Sequence, residues 1–298
     1  MGVILKDGEF LPEYPEFAQE AFDRASATGD GMPFLFEWYK WTGLVTSQVA
    51  CLHGDFVAHL LLSKRELAIL RGLLNRCSRL MVAILRLAST HKHAEAVRLL
   101  NRSVCETALL VQWLCTSGTG EPFRQYVAKG LDAELRLKQE IEKQIESRGG
   151  SILVNEKRML AAIAELCSLG GLSEDEVRAT KKLPSLESML RALGHDELSY
   201  VVVQRLGSHA VHGTWPDLLF HYLSTEDGEF VVTDNTIRTE GTELVASATL
   251  VLEAISAFAK FVLNETDLAD DLVQVVTDAI VEIVRIHRLT SGDDYSAA

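Results

Sequence analysis

The residues best suited to chemistry stand in the stretch QRLGSHAVHGTW, from Gln204 to Trp215. If this stretch is helical, Arg205, His209 and His212 fall on one side of the helix and Ser208 lies beside them. An arginine stabilises charge that develops on phosphorus, and a histidine can donate or accept a proton near neutral pH. The set therefore predicts metal-independent cleavage of a phosphodiester such as RNA.

A structural interpretation of the same stretch stays open. Gly213 is a natural helix end, so His212 would stand in the last turn, where the negative end of the helix favours a protonated imidazole. Histidines at that position also bond to the last carbonyl groups without doing chemistry. Gly207 would in addition allow the helix to bend between Arg205 and His209.

A second group of charged side chains follows one side of a helix predicted from residue 93 to 115. These residues stand three, four and four positions apart, within about 80° of one another around the helix axis. Such alternation stabilises a solvent-facing helix, whereas the apolar remainder of the helix favours burial of paired ions. Both alternatives stay open for this charged stripe, which consists of Glu95, Arg98, Arg102 and Glu106.

A metal site at the start of that helix is a more distant alternative. His91, His93 and Glu95 include the residue types that bind zinc, but ligands two positions apart point to opposite sides of a helix. They would share a metal only if the segment began in an extended conformation. We therefore predict no metal and no cofactor, and the sequence contains no phosphate-binding glycine loop, nucleophile elbow or dinucleotide fingerprint.

The spacing from Arg205 to His212 resembles the arginine-x(4 to 6)-histidine motif of HEPN-type ribonucleases, which are helical proteins of toxin and phage-defence systems. Leu206 follows the arginine where members of that family often have a polar residue. The resemblance implies an all-helical fold and a metal-independent endoribonuclease. It also implies a homodimer, because HEPN-type sites usually combine two protomers.

A longer stretch, from Ser63 to Ser224, resembles an uncharacterised group of bacterial all-helical proteins. In that group an Arg-x-x-x-Glu helix, here Arg102 and Glu106, precedes a Ser-x-x-x-His-Gly segment, here Ser208 and His212 followed by glycine. The resemblance implies no substrate. If it pairs the two polar segments in space, the pair from the helix would orient His212 in a shared pocket, with Arg98 and Tyr126 nearby as binding residues.

Apolar residues recur at helical spacing almost throughout, which predicts an all-α bundle of long antiparallel helices. Ser63 and Glu66 have the spacing of a capping box at the start of a long helix. Gly149 and Gly150 are expected to end another that opens near Glu121. A short β-hairpin is expected near residues 228–238, with its turn at Asp234 and Asn235.

Three segments are predicted along the chain: a helical extension over 1–62, the main bundle over 63–290 and a disordered acidic tail over 291–298. The two most apolar stretches, 68–87 and 244–263, contain charged residues and are interpreted as core helices rather than membrane spans. Five scattered cysteines without a CxxC pair suit a reducing cytoplasm, and thus a cytoplasmic location. No membrane partner is expected.

The net charge of -13 disfavours a general nucleic-acid binder. The charge is uneven, however: nine Lys or Arg stand against Glu66 and Glu95 between Lys64 and Arg102, which leaves a net charge of +7 there. A basic face within an acidic protein and a salt-bridged pairing of the two regions are both compatible with this distribution.

Two functions from different classes follow. The first is a metal-independent ribonuclease or toxin-like effector that acts on RNA as a homodimer, with Arg205, His212 and His209 as catalytic residues. The second is a non-catalytic helical binding or sensor module, in which the Arg, His and Glu side chains tie helices together.

Overall fold

The computed structural model describes residues 11–52, 62–90, 92–197, 211–233, 238–264 and 266–291. In these ranges the chain forms eleven helices and one two-stranded sheet, so the predicted all-α class with a short hairpin is confirmed. The elements are α1 (Gln19–Thr28), α2 (Met32–Ala50), α3 (Lys64–Ala88), α4 (Ala94–Ser117), α5 (Glu121–Ser147), α6 (Val154–Gly170), α7 (Glu174–Ala179), α8 (Leu186–Ala192), α9 (Trp215–His221), β1 (Leu223–Glu226), β2 (Glu229–Val232), α10 (Gly241–Val262) and α11 (Asp267–Ser291).

The chain divides into two compact units. The first unit combines Met1–Thr116 with Leu186–Ala298, and the second is Ser117–Ser185. The second unit is therefore an insertion in the sequence of the first. The division predicted at residues 62 and 290 stays a prediction, and residues 292–298 of the proposed tail lie outside the described ranges.

Four long helices build the core of the first unit: α2 packs against α3 and α10, and α10 packs against α11. α10 is apolar around most of its circumference, as expected of a helix with neighbours on several sides. It is also the one described helix long and apolar enough to cross a membrane by length and composition, and 56% of its most apolar window is buried inside the protein. Its buried apolar residues agree with the predicted core helix: Leu244, Ala248, Val251, Leu252, Ala254, Ile255, Phe258, Ala259 and Val262.

α3 begins where the sequence predicts. The Ser63 side chain accepts a hydrogen bond from the Glu66 amide, and the Glu66 carboxylate accepts one from the Ser63 amide, which completes the capping box. The helix buries one apolar face at intervals of three and four residues, including Leu70, Leu74 and Met81. Its opposite face is exposed.

The second unit is a small bundle of α5, α6 and α7. Its core contains Leu131 and Leu135 from α5 together with Leu172 and Val177. Gly170 allows α6 to approach α5 closely, since a Cβ atom there would lie 2.8 Å from Cδ1 of Leu131. The predicted end of α5 is confirmed, because Gly149 and Gly150 follow it with positive φ angles.

The hairpin is present: β1 and β2 pair with Glu226 opposite Glu229, so its turn is Asp227 and Gly228. Both turn residues have positive φ, 49° and 85°. A two-residue hairpin of this type requires positive φ twice, and Asp-Gly adopts it more readily than Asp-Asn. The turn predicted at Asp234 and Asn235 lies outside the described residues and stays a prediction.

Candidate functional site

The predicted catalytic residues are described only in part. Arg205, Ser208 and His209 lie outside the described residues, so their predicted grouping stays a prediction. His212 is exposed at the end of a helical turn, and Gly213 follows it with φ 53°. The predicted glycine stop is thus confirmed, and the imidazole of His212 is accessible to solvent.

The charged stripe of α4 is half-buried along its length. Its two arginines have different partners. Arg102 Nε lies 2.8 Å from Glu106 Oε1 on the next turn, and both side chains remain partly exposed. Arg98 Nε lies 2.6 Å from Glu243 Oε1 in the first turn of α10, and the Glu243 side chain is only 10% exposed.

Arg98 also reaches His221, the last residue of α9. Its Nη1 lies 3.4 Å from His221 Nε2, and the other ring nitrogen, Nδ1, lies 3.9 Å from Glu95 Oε2. Because an arginine has only donors, Nε2 must accept this hydrogen bond. A neutral His221 therefore carries its proton on Nδ1, on the side of Glu95. We call Glu95, Arg98, His221 and Glu243 the tie cluster.

Glu243 is the member of the tie cluster whose charged form is disfavoured by burial. Burial raises the pKa of its carboxyl group, and the ion pair with Arg98 offsets only part of that effect. Its second oxygen, Oε2, is buried and has no hydrogen-bond partner within the described part of the chain. Removal of Arg98 would leave this carboxylate without its compensating charge.

A chain of neutral hydrogen bonds continues from the tie cluster into the core. Asn101 Nδ2 donates to the Glu243 carbonyl oxygen at 2.9 Å, and Tyr39 Oη donates to Asn101 Oδ1 at 3.3 Å. Ser247 Oγ lies 3.3 Å from Tyr39 Oη. α2, α4 and α10 are thereby linked through polar groups that are buried and mutually satisfied.

The tie cluster links α4, α9 and α10 through contacts between side chains. His221 is 3% exposed and its ring nitrogens face Arg98 and Glu95, so no solvent-accessible nitrogen remains for proton transfer to a ligand. Through it, α9 is fixed to α4 and α10. Among the predicted binding residues, Arg98 belongs to this cluster, Arg102 and Glu106 form the neighbouring pair, and Tyr126 lies on α5 in the second unit.

His221 and Glu243 escaped the sequence analysis. His221 interrupts the apolar run LLFHYL, and Glu243 stands in the first turn of a helix that is otherwise apolar. A polar residue inside an apolar run is a signal of a buried partner. The partner itself was not accessible from the sequence, because Glu243 lies 145 residues from Arg98.

No metal site is found among the described residues, where no group of three His, Cys, Asp or Glu side chains is close enough to hold an ion. His93 is exposed at the start of α4, and His91 lies outside the described ranges. The alternative of a metal shared by these two residues therefore stays open.

A groove of about 460 Å³ opens beside the C-terminal end of α4. Its wall includes Glu253 and Lys260 of α10 and is otherwise mostly apolar. Burial raises the pKa of Glu253, whose Oε2 lies 3.4 Å from Gln112 Nε2. The only thiol in the wall, Cys115, is a poor nucleophile because burial raises its pKa.

The most unusual surface of the first unit lies on α9 and the hairpin. The ring of Trp215 packs edge-to-face on Phe230 at a centroid distance of 5.2 Å, yet the two residues remain 53% and 57% exposed. Monomeric soluble proteins rarely expose so many large apolar residues within one short segment. We call this surface the apolar platform; its exposed members are Val211, Trp215, Leu218, Leu219, Phe220, Tyr222, Phe230, Val231 and Val232.

A family model described as "Family of unknown function (DUF5677)" matches residues 67–230. This range covers more than half of the 298 residues. The chain belongs to this family. The matched range runs from α3 to β2 and so contains three members of the tie cluster and most of the apolar platform, whereas Glu243 lies beyond it. No curated protein and no solved structure matches the chain.

Proposed function

We propose that the protein is a non-catalytic helical binding module that assembles as a homodimer through the apolar platform. The observation that carries this proposal is the exposure of nine large apolar side chains between Val211 and Val232, seven of them on α9 and β2. The tie cluster supports it, because Glu95 and Arg98 of α4 contact His221, and Arg98 is held in turn by Glu243 of α10, so that α9 is fixed to both helices. A binding surface gains affinity when it is held rigid before it meets its partner.

The outer edge of β2 is suited to pairing with the same strand of a second copy of the chain. A two-stranded hairpin is only marginally stable in water, and no described strand covers this edge. The Thr233 amide donates to the Tyr222 carbonyl at 2.9 Å, which places Thr233 and Val231 toward β1. Residues alternate along an antiparallel ladder, so Phe230 and Val232 direct their amide groups away from β1.

Charge also favours an antiparallel pairing of two β2 strands about a twofold axis. The turn end of the hairpin is acidic, with Glu226, Asp227 and Glu229 close together. In a symmetric antiparallel pair the two turns point in opposite directions, so the acidic ends are separated. Phe230 of one copy then faces Val232 of the other, because both residues direct their amide groups outward.

The mass of the purified protein in solution, measured by light scattering during gel filtration, tests the assembly. We expect a dimer at micromolar concentration. Val232→Pro removes one outward amide and should weaken the dimer by about tenfold or more, because proline cannot donate to the ladder. Val232→Thr keeps the amide and the β-branched shape and should remain dimeric.

Circular dichroism must first show that both variants keep the helical content and the melting temperature of the parent. A monomeric parent, or a Val232→Pro protein that dimerises as tightly as the parent, contradicts the proposed assembly. If the Phe220→Ser and Val232→Pro proteins both dimerise as tightly as the parent, the interface lies elsewhere on the protein.

The second candidate function is a metal-independent endoribonuclease of the toxin or phage-defence type. It is favoured by the exposure of His212 at a glycine-terminated helical turn, because a proton donor must reach its substrate. In this proposal Arg205 stabilises the charge on phosphorus, and His212 and His209 exchange protons with the ribose hydroxyl and the leaving oxygen.

Cleavage of total cellular RNA in excess chelator tests the second candidate. Arg205→Ala and His212→Ala should each abolish cleavage by a folded protein, whereas His93→Ala changes another exposed histidine and should cleave like the parent. Absence of cleavage by a dimeric parent, or full cleavage by His212→Ala, contradicts the ribonuclease proposal and leaves the binding module.

A further inference from the structure

The exposed side of α3 carries arginines and no acid. At about 100° per residue, Arg65, Arg76, Arg79 and Arg86 fall within about 80° of one another around the helix axis. All four are exposed, while the only acidic residue of the helix, Glu66, is buried in the capping box. We call these four residues the arginine face; it spans about 30 Å along the helix.

Three of the four members of the arginine face have no carboxylate partner in the described part of the chain. Arg76 donates to Thr107 Oγ1 of α4 at 2.8 Å, a neutral partner that fixes the side chain without removing its charge. In the described part of the chain, no carboxylate lies within ion-pair distance of Arg76, Arg79 or Arg86. Glu106, the residue before Thr107, is already paired with Arg102. The salt-bridged alternative for the basic region is therefore not realised at these arginines.

The space between the arginines suits a polyanion that comes close to the helix. The exposed positions among them are Ala68, Gly72, Asn75 and Val82, and a Cβ atom added at Gly72 would meet no atom within 4 Å. Guanidinium groups bind phosphates through two parallel hydrogen bonds. A membrane surface is a poorer match, because helices that lie on bilayers present large apolar side chains beside the basic ones.

We infer that the arginine face binds the sugar–phosphate backbone of a nucleic acid. This site goes beyond the proposed homodimer and does not depend on it, since it uses α3 and none of the platform residues. Arg76, Arg79 and Arg86 span about 15 Å along the helix, which corresponds to about four nucleotides at 3.4 Å per step along a strand. Backbone binding through arginines carries no base specificity, so RNA and DNA are distinguished by the experiment.

The experiment measures fluorescence anisotropy of labelled single-stranded RNA and of duplex DNA as the salt concentration is raised. We expect binding by the parent that weakens steeply with salt for at least one of the two nucleic acids. Arg79→Gln/Arg86→Gln should lower affinity about tenfold or more and reduce the slope of log affinity against log salt by about two.

The matched control is Lys157→Gln/Arg158→Gln, which removes the same charge from an exposed surface of α6. It should bind like the parent if the affinity depends on the arginine face of α3 and not on the net charge of the protein. An equal loss in both double variants, no binding of either nucleic acid, or equally tight binding to anionic vesicles overturns the inference. The monomeric or dimeric state of each protein, measured alongside, separates a failure of this site from a failure of the proposed assembly.

Discussion

At the scale of single residues, the tie cluster shows how a charge becomes tolerable inside a helical protein. Glu243 is almost fully buried, and one of its oxygens has no hydrogen-bond partner among the described residues. Its stability depends on Arg98, which reaches it from another helix at 2.6 Å. The Arg102–Glu106 pair on the same helix is more exposed and so is expected to contribute less.

This difference predicts unequal effects of two substitutions. Glu243→Ala leaves Arg98 without its close partner and should lower the free energy of unfolding by about 3 kcal/mol. Glu106→Ala breaks an exposed pair and should lower it by about 0.5 kcal/mol or less. Chemical denaturation of both variants measures the two values. Equal losses would show that the tie cluster stabilises the protein no more than the exposed Arg102–Glu106 pair does.

At the scale of elements, the helix ends were the easiest features to predict and the partners of polar side chains the hardest. Ser63 and Glu66 stand three residues apart, and the glycines after α5 follow it directly, so local chemistry alone determines these ends. The turn at Asp227 and Gly228 was not predicted, although Asp-Gly is a strong local signal for a two-residue hairpin. His221 could not be joined to Glu95 and Arg98 because tertiary packing, and not spacing, brings them together.

The start of α3 provides a direct test at this scale. Ser63→Ala removes the acceptor for the Glu66 amide and should lower the free energy of unfolding by about 1 kcal/mol. Ser89→Ala at the other end of the helix is the control. That hydroxyl donates to a carbonyl three residues earlier on an exposed surface, so its loss should change stability by a few tenths of a kcal/mol. Thermal unfolding of the two variants under identical conditions measures both losses. Equal losses would show that the Ser63 cap does not stabilise α3.

At the scale of the whole molecule, an acidic protein separates its charges by region. Its net charge is -13, yet α3 presents a purely basic exposed face and the hairpin end is acidic. Composition alone therefore argued against nucleic acid, while the arrangement of a few arginines argues for it. The sequence located the excess of basic residues, but only the structure distinguished exposed arginines from those bound to carboxylates.

Two buried carboxyl groups make global stability depend on pH. Burial raises the pKa of Glu243 and Glu253 above the ordinary value of 4.5, so the folded state holds their protons more tightly than the unfolded state. Their contribution to stability is greatest below pH 4.5 and is lost as the pH rises through the raised pKa values. Glu243→Gln/Glu253→Gln lacks this loss. The melting temperature of the parent minus that of the double variant should therefore be larger in acid than at neutral pH. If this difference does not change with pH, the assignment is contradicted.

The division of the first unit along the chain has a consequence for synthesis on the ribosome. α2 and α3 emerge early, but their partner α10 ends at Val262, after the whole of the second unit has been translated. At about 5–20 residues per second, the roughly 150 residues from Thr116 to Val262 take about 7–30 s to make. During that interval α2 and α3 have been synthesised but cannot yet pack against α10. The second unit, in contrast, is contiguous in sequence and can fold as soon as it has been translated. The nascent chain is thus expected to need holdase protection for its first half and none for its middle.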